Sequence, residues 1–211
     1  MPNAWINERK REYYYKKAKK EQFRSRASYK LLQAVKKYNF IKSGDIVVDL
    51  GAAPGGWAQA AIQLVEDSGF VLAVDMKPMK SFDALNVRTI IGDISDPKTI
   101  QNIQQFLPRP ADAVVSDVSP NVSGIWELDH ARQIDLATQS LRIAIAILRP
   151  GGNFFVKAFQ GGTLNTLVKE VKQNFGFMKL VKPKASRSQS AELYILGMYC
   201  KQKSDSEPLA K

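Results

Sequence analysis

The chain has 211 residues, 45% of them hydrophobic, enough for one well-buried domain and short for two. Its 31 Lys and Arg against 20 Asp and Glu give a net charge of +11, which points to a polyanionic partner. It has no run of about 18 apolar residues and no apolar segment behind the first methionine, so neither a membrane span nor a secretory leader is expected, and a cytoplasmic protein is.

The positive charge is uneven. Residues 1–37 hold twelve Lys and Arg against three Glu, and the remainder hold nineteen against seventeen acidic residues. A basic arm over residues 1–23 interleaves Arg9, Lys10, Arg11, Lys16, Lys17, Lys19 and Lys20 with Trp5, Tyr13, Tyr14, Tyr15 and Phe23. Cations neutralise phosphates and aromatic faces stack on unpaired bases, so single-stranded or looped RNA suits this mixture. A membrane surface suits it less, because few aliphatic residues accompany the tyrosines. The plainest alternative is a solvated basic tail.

Beyond the arm, Arg24–Tyr38 has helical spacing, with Leu31, Leu32 and Val35 on one side. Ile46–Leu50 reads as a strand covered on both faces, and it runs into GAAPGGW, a glycine loop that opens a helix over Trp57–Glu66. Strands follow over Phe70–Asp75, Val87–Asp93, Ala113–Val118 and Asn153–Phe159, separated by helices over Pro97–Phe106 and His130–Leu148. A helix over Thr163–Phe175 precedes two last strands, Met178–Lys182 and Glu192–Cys200. Alternating β and α units imply a parallel sheet. The last two strands are joined by KPKASRSQSA without a helix and should form an antiparallel hairpin. The tail from Gln202 is polar and expected to fray.

The glycine loop departs from the dinucleotide fingerprint, because Ala52 stands where a second glycine belongs and Pro54 has no N–H to offer a phosphate. A nucleoside cofactor without phosphates, S-adenosylmethionine, fits it better than a nicotinamide dinucleotide, and an ordinary βα turn is the plain alternative. In an open α/β sheet the ligand lies beyond the carboxyl ends of the strands, where Asp49, Asp75, Asp93 and Asp117 close four successive strands. Asp75 follows Gly51 by 24 residues, near the offset of about 20 at which a carboxylate meets ribose hydroxyls. Asp93 is placed to accept from an adenine amino group. Each aspartate alone could be a turn residue. Lys157, in FFVKAF, reaches the same rim, and a lysine among apolar neighbours belongs in a polar cleft, where burial and nearby cations favour the neutral, basic form. DVSP at Asp117 lacks the Pro-aromatic ending of amino-group methyltransferases, which leaves a hydroxyl oxygen as the acceptor. Cys200, the one cysteine, reads as core, and His130, the one histidine, as a surface or capping residue. Neither a zinc site nor any other metal is expected.

RASYKL at 26–31, GAAPGGW, DVSPN, VKAF and SAELYILG at 190–197 together resemble the FtsJ/RrmJ family of RNA ribose 2′-O-methyltransferases, over about residues 24–201. The resemblance implies an α/β, Rossmann-like class I methyltransferase domain with a seven-stranded, mostly parallel sheet carrying one antiparallel strand and helices on both faces. It implies a catalytic Lys30, Asp117, Lys157 and Glu192, and a cofactor pocket lined by Gly55, Trp57, Asp75, Asp93 and Asp117. It further implies a monomer that methylates a uridine ribose in large-subunit (23S-type) ribosomal RNA within the large subunit, with tRNA- and cap-modifying relatives as near alternatives. A non-catalytic RNA-binding assembly factor on the same fold is the rival from another class.

Overall fold

The structure is a computed structural model that describes residues 12–187 and 189–201. A first helix, α1, spans residues 12–20, followed by α2 (Ser28–Tyr38), β1 (Ile46–Leu50), α3 (Gly56–Val65), β2 (Phe70–Asp75) and β3 (Val87–Ile91). Then come α4 (Lys98–Phe106), β4 (Ala111–Ser116), α5 (Trp126–Ile147), β5 (Leu148–Phe159), α6 (Leu164–Asn174), β6 (Phe175–Val181) and β7 (Glu192–Cys200). The strands form one sheet in the order β3-β2-β1-β4-β5-β7-β6. Strands β1 to β5 pair in parallel, and β7 runs antiparallel to both its neighbours. The hairpin expected from the helix-free link therefore forms, but its second strand inserts between β5 and β6, an order that strand spacing does not encode.

Strand side chains alternate between faces, and the two hydrophobic clusters divide accordingly. Val47, Val71, Ala73, Val115 and Phe155 pack with Leu31 and Ala34 of α2 and Ala58 and Ala61 of α3. Val48, Leu72, Val74, Val114 and Val156 pack with Ile103 of α4, Leu141 and Ala144 of α5 and Leu167 of α6. All five residues of β1 are buried, as its unbroken apolar run requires in the middle of a parallel sheet.

Residues 12–23 do not project as an arm. Ala18 and Phe23 are buried in the α2-side cluster, and Tyr14 packs on Tyr29 with ring centroids 5.4 Å apart. The Tyr14 hydroxyl accepts from Gln33 Nε2 at 2.9 Å, and the Tyr29 hydroxyl donates to Glu21 at 2.7 Å. The boundary expected at residue 23 thus falls inside a packed segment, because these aromatics cover apolar surface of α2. Tyr13 and Tyr15 remain exposed. Trp5, Arg9, Lys10, Arg11 and the tail from Gln202 lie outside the described residues.

Candidate active site

Four charged side chains meet at the carboxyl ends of β4 and β5, on the face covered by α2. Across the β5–β7 ladder Lys157 pairs with Tyr194 and Phe159 with Glu192, so Lys157, Glu192 and Tyr194 share the face that carries Phe155. Asp117 follows the last residue of β4, and Lys30 reaches over from the first turn of α2. Lys30 Nζ lies 2.8 Å from Glu192 Oε1 and 3.8 Å from Asp117 Oδ1. Lys157 Nζ lies 3.0 Å from the same Asp117 Oδ1 and donates to the Asp117 main-chain oxygen at 2.8 Å. These side chains are only 8–19% exposed. The four residues named by the family resemblance therefore form one connected, largely desolvated network.

Burial pushes the Glu192 carboxyl up, but the charge and hydrogen bond of Lys30, aided by Lys157 and by the Ser186 hydroxyl at 2.8 Å, hold it below the ordinary carboxylate range. Two members escaped sequence reasoning. The Tyr194 hydroxyl donates to Asp117 Oδ1 at 2.6 Å, and burial followed by the Asp117 charge pushes the phenol well above its usual value, so it stays a donor. Gln133 of α5 is fully buried and ties two strand-end carbonyls, Lys157 at 3.1 Å and Val118 at 3.2 Å. Tyr194 lay within a quoted motif without a role. The signal for Gln133 is an amide at helical spacing from Ala137, Leu141 and Ala144, on the apolar side of α5. His130, expected as a surface or capping residue, is buried, with its Nε2 3.0 Å from the hydroxyl of Thr163 at the start of α6.

The glycine loop lies beside this network. Gly55 caps α3 at φ 106°, and a Cβ there would stand 2.7 Å from the Phe82 ring, so a side chain is excluded by both conformation and space. The Arg24 guanidinium sits 3.8 Å from the Phe82 ring centroid and donates to the Lys80 carbonyl at 2.7 Å, so it lies over the same loop. Asp75 accepts from the Ala53 amide at 2.9 Å and the Lys77 amide at 2.8 Å, which shapes the loop while leaving further acceptor sites on its carboxylate. Asp93 lies in the turn after β3, where it accepts from the Ser95 amide at 2.8 Å. Trp57 is buried, with its Nε1 donating to the Ala27 carbonyl at 2.8 Å and its ring stacked on Phe155.

Asp49, Gly51, Pro54, Trp57 and Asp117 line a small cavity of about 80 Å³. Both Asp49 carboxyl oxygens are sealed from solvent without a hydrogen-bond partner. Burial, then the charge of Asp117, pushes this carboxyl well above its ordinary value. An unpartnered buried carboxyl beside the small residues of the Gly51–Gly56 loop is a ready receptor for a cationic group. The ammonium and sulfonium of S-adenosylmethionine fit that chemistry, and the spare acceptor sites of Asp75 fit ribose hydroxyls.

The family model for FtsJ-like methyltransferases matches residues 23–200. The chain belongs to the FtsJ-like methyltransferase family. It is 50% identical over 197 residues to the ribosomal RNA large subunit methyltransferase E of Methanothermobacter thermautotrophicus, covering 93% of each chain. Against the enzyme of that name from Archaeoglobus fulgidus it is 50% identical over 188 residues, covering 89% of this chain and 95% of the relative. Among solved structures, a ribosomal RNA methyltransferase from Plasmodium falciparum superposes with a TM-score of 0.76 at 26% identity, covering 84% of this chain and 98% of its own. The FtsJ-like match spans all seven strands, the glycine loop and every member of the charged network. The α/β methyltransferase architecture expected from the sequence is therefore the one observed.

Proposed function

We propose that this FtsJ-like methyltransferase transfers a methyl group from S-adenosylmethionine to the 2′-hydroxyl of a ribose in large-subunit ribosomal RNA. The observation that carries the reading is the buried Lys30–Glu192–Asp117–Lys157 network beside the glycine loop. S-adenosylmethionine supplies an electrophilic methyl on its sulfonium. Asp49 would receive its cationic portion, Asp75 its ribose and Asp93 its adenine, with Gly55 and Trp57 forming the wall. A ribose hydroxyl is a weak nucleophile until its proton leaves, and Lys157 is the base that would take it. A neutral lysine has two N–H groups, and both would be committed to Asp117, one to Oδ1 and one to the main-chain oxygen. Its lone pair is then left to accept from the 2′-hydroxyl. General bases of this kind contribute roughly 10²–10⁴-fold. Lys30 pairs with Glu192, and Glu192 and Asp117 hold the two amines in place. The burial of the network also keeps water away from the reacting oxygen.

Support for a nucleic-acid substrate comes from a groove of about 550 Å³ between α2 and β6, lined by Lys36, Lys37, Lys179, Lys182 and Lys184. Support for ribosomal RNA comes from the two archaeal relatives at 50% identity, both named for the large subunit. In this reading the enzyme works in the cytoplasm as a monomer and modifies a uridine within the large subunit. No described helix is long and apolar enough to cross a membrane. The test is to supply methyl-labelled S-adenosylmethionine with large-subunit RNA, naked and in assembled subunits, and to digest the product to nucleosides. Label in 2′-O-methyluridine is expected; label on a base would overturn the reading.

A further inference from the structure

Next to the charged network lies a second cleft, of about 300 Å³, whose lining includes Lys30 and Glu192 on one side and Trp126 and Phe159 on the other. Arg26 and Arg187 also border it. Trp126 opens α5 and is 47% exposed, an unusual state for so large an apolar ring. Its indole is near parallel to Phe159, at 6.0 Å and 19°, and to His130, at 5.8 Å and 18°. His130 is itself fixed, since a Cβ on Gly161 would stand 2.5 Å from its ring and the Thr163 hydroxyl lies 3.0 Å from its Nε2. The result is a rigid aromatic shelf, open to solvent along the cleft that ends at Lys30 and Glu192.

We propose that the Trp126–Phe159 shelf stacks the base of the acceptor nucleotide while its ribose lies at Lys30, Glu192 and Lys157. The inference rests on the ribose-methylation reading of the same site. A nucleotide carries its base on C1′ and the reacting hydroxyl on the adjacent C2′, so a site that holds the hydroxyl must also accommodate the base close beside it. Here the surface at that position is aromatic, with arginines at the margin to meet phosphates. Within an A-form helix the base would be stacked on its neighbours and could not reach such a shelf, so the substrate is a nucleotide in a loop or one splayed out of its helix. Stacking tolerates any base, so the shelf contributes affinity and placement, and discrimination among bases must come from other contacts.

The test uses the full chain with Trp126→Ala and Trp126→Phe, a large-subunit RNA fragment as methyl acceptor, and a short single-stranded oligouridylate as a binding probe. Loss of a stacking aromatic should raise KM for the RNA or lower kcat/KM by roughly 5- to 150-fold in the Ala variant. The Phe variant should recover most of the loss. Affinity for S-adenosylmethionine should stay at the wild-type value in both, and the Phe variant, which keeps a ring between Phe159 and His130, should also keep the wild-type melting temperature. Oligouridylate should quench tryptophan fluorescence in the wild type, and the Phe variant, which keeps Trp5 and Trp57, should lose the part of that quenching that belongs to Trp126. An Ala variant with wild-type RNA kinetics, in a protein whose wild type does methylate ribose, would overturn the shelf. A wild type that leaves ribose unmethylated would overturn the underlying reading of the site instead.

Discussion

Replacing Tyr194 by Phe tests whether the charged network is held by the hydroxyl that closes it. The substitution keeps the ring, and with it the stacking on Phe155 at 4.9 Å and the approach of Lys30 to the ring face at 5.6 Å. The 2.6 Å hydrogen bond to Asp117 Oδ1 is removed, together with the hydroxyl's approach to Glu192. Hydrogen bonds to charged groups contribute about 1.5–3 kcal/mol. Because Asp117 Oδ1 keeps Lys157 at 3.0 Å and is not orphaned, the loss should fall at the lower end, about 1.5 kcal/mol. For a chain of this size that is a fall of about 3–6 °C in melting temperature. Asp117 would then be free to turn, and a displacement of Lys157 should reduce methyl transfer by roughly ten- to a hundredfold at unchanged affinity for S-adenosylmethionine. Thermal unfolding, calorimetric titration of the cofactor and initial rates measure the three quantities. A variant that melts and turns over like the wild type would show that the hydroxyl positions nothing.

Other consequences follow from the glycine loop and the termini. Asp75→Ala should weaken S-adenosylmethionine binding in calorimetry by an order of magnitude or more, because it removes both the ribose acceptor and the carboxylate that ties the Ala53 and Lys77 amides; unchanged affinity would remove Asp75 from the pocket. The raised Asp49 carboxyl makes the folded chain hold a proton that the unfolded chain releases near pH 3.9, so stability should decline as pH rises from that value toward the raised one. Urea unfolding of Asp49→Asn across the same range should lack that slope and show weaker cofactor affinity, and a slope identical to the wild type would refute the assignment. Deleting residues 1–11 should weaken RNA binding and flatten its dependence on log salt. An unchanged salt slope would leave those residues as a solvated tail.

Much of the fold is written in local patterns, and much of the site in motifs. Ile46–Leu50, Phe70–Asp75 and Glu192–Cys200 are found at the boundaries that their apolar runs and flanking turns suggest. β5 is longer than expected, because the strand runs on from Leu148 through Pro150 and a left-handed Gly151 (φ 78°), pairing Leu148 with Ala111 across an irregular register. α5 begins at Trp126 and not at His130, since Asp129 accepts from Ser123 and Gly124 and stabilises the turn ahead of it. The basic composition of residues 12–23 suggested a contact with RNA, yet Tyr14, Ala18 and Phe23 are used for packing on α2, a choice that only the tertiary fold decides. The tetrad was legible because its residues sit in short motifs at strand ends. Tyr194 and Gln133 were not, because their roles depend on distances across β5 and β7 and between α5 and the sheet, which no local pattern carries.

In the proposed reaction Lys157 removes the proton from a ribose 2′-hydroxyl. The direct measurement compares Lys157→Ala with the wild type in S-adenosylmethionine affinity, RNA affinity and single-turnover methyl transfer. A group that acts mainly in the transition state should leave both affinities close to wild type while transfer falls by roughly 10²-fold or more. Methyl transfer by Lys157→Ala at a near wild-type rate would contradict the claim.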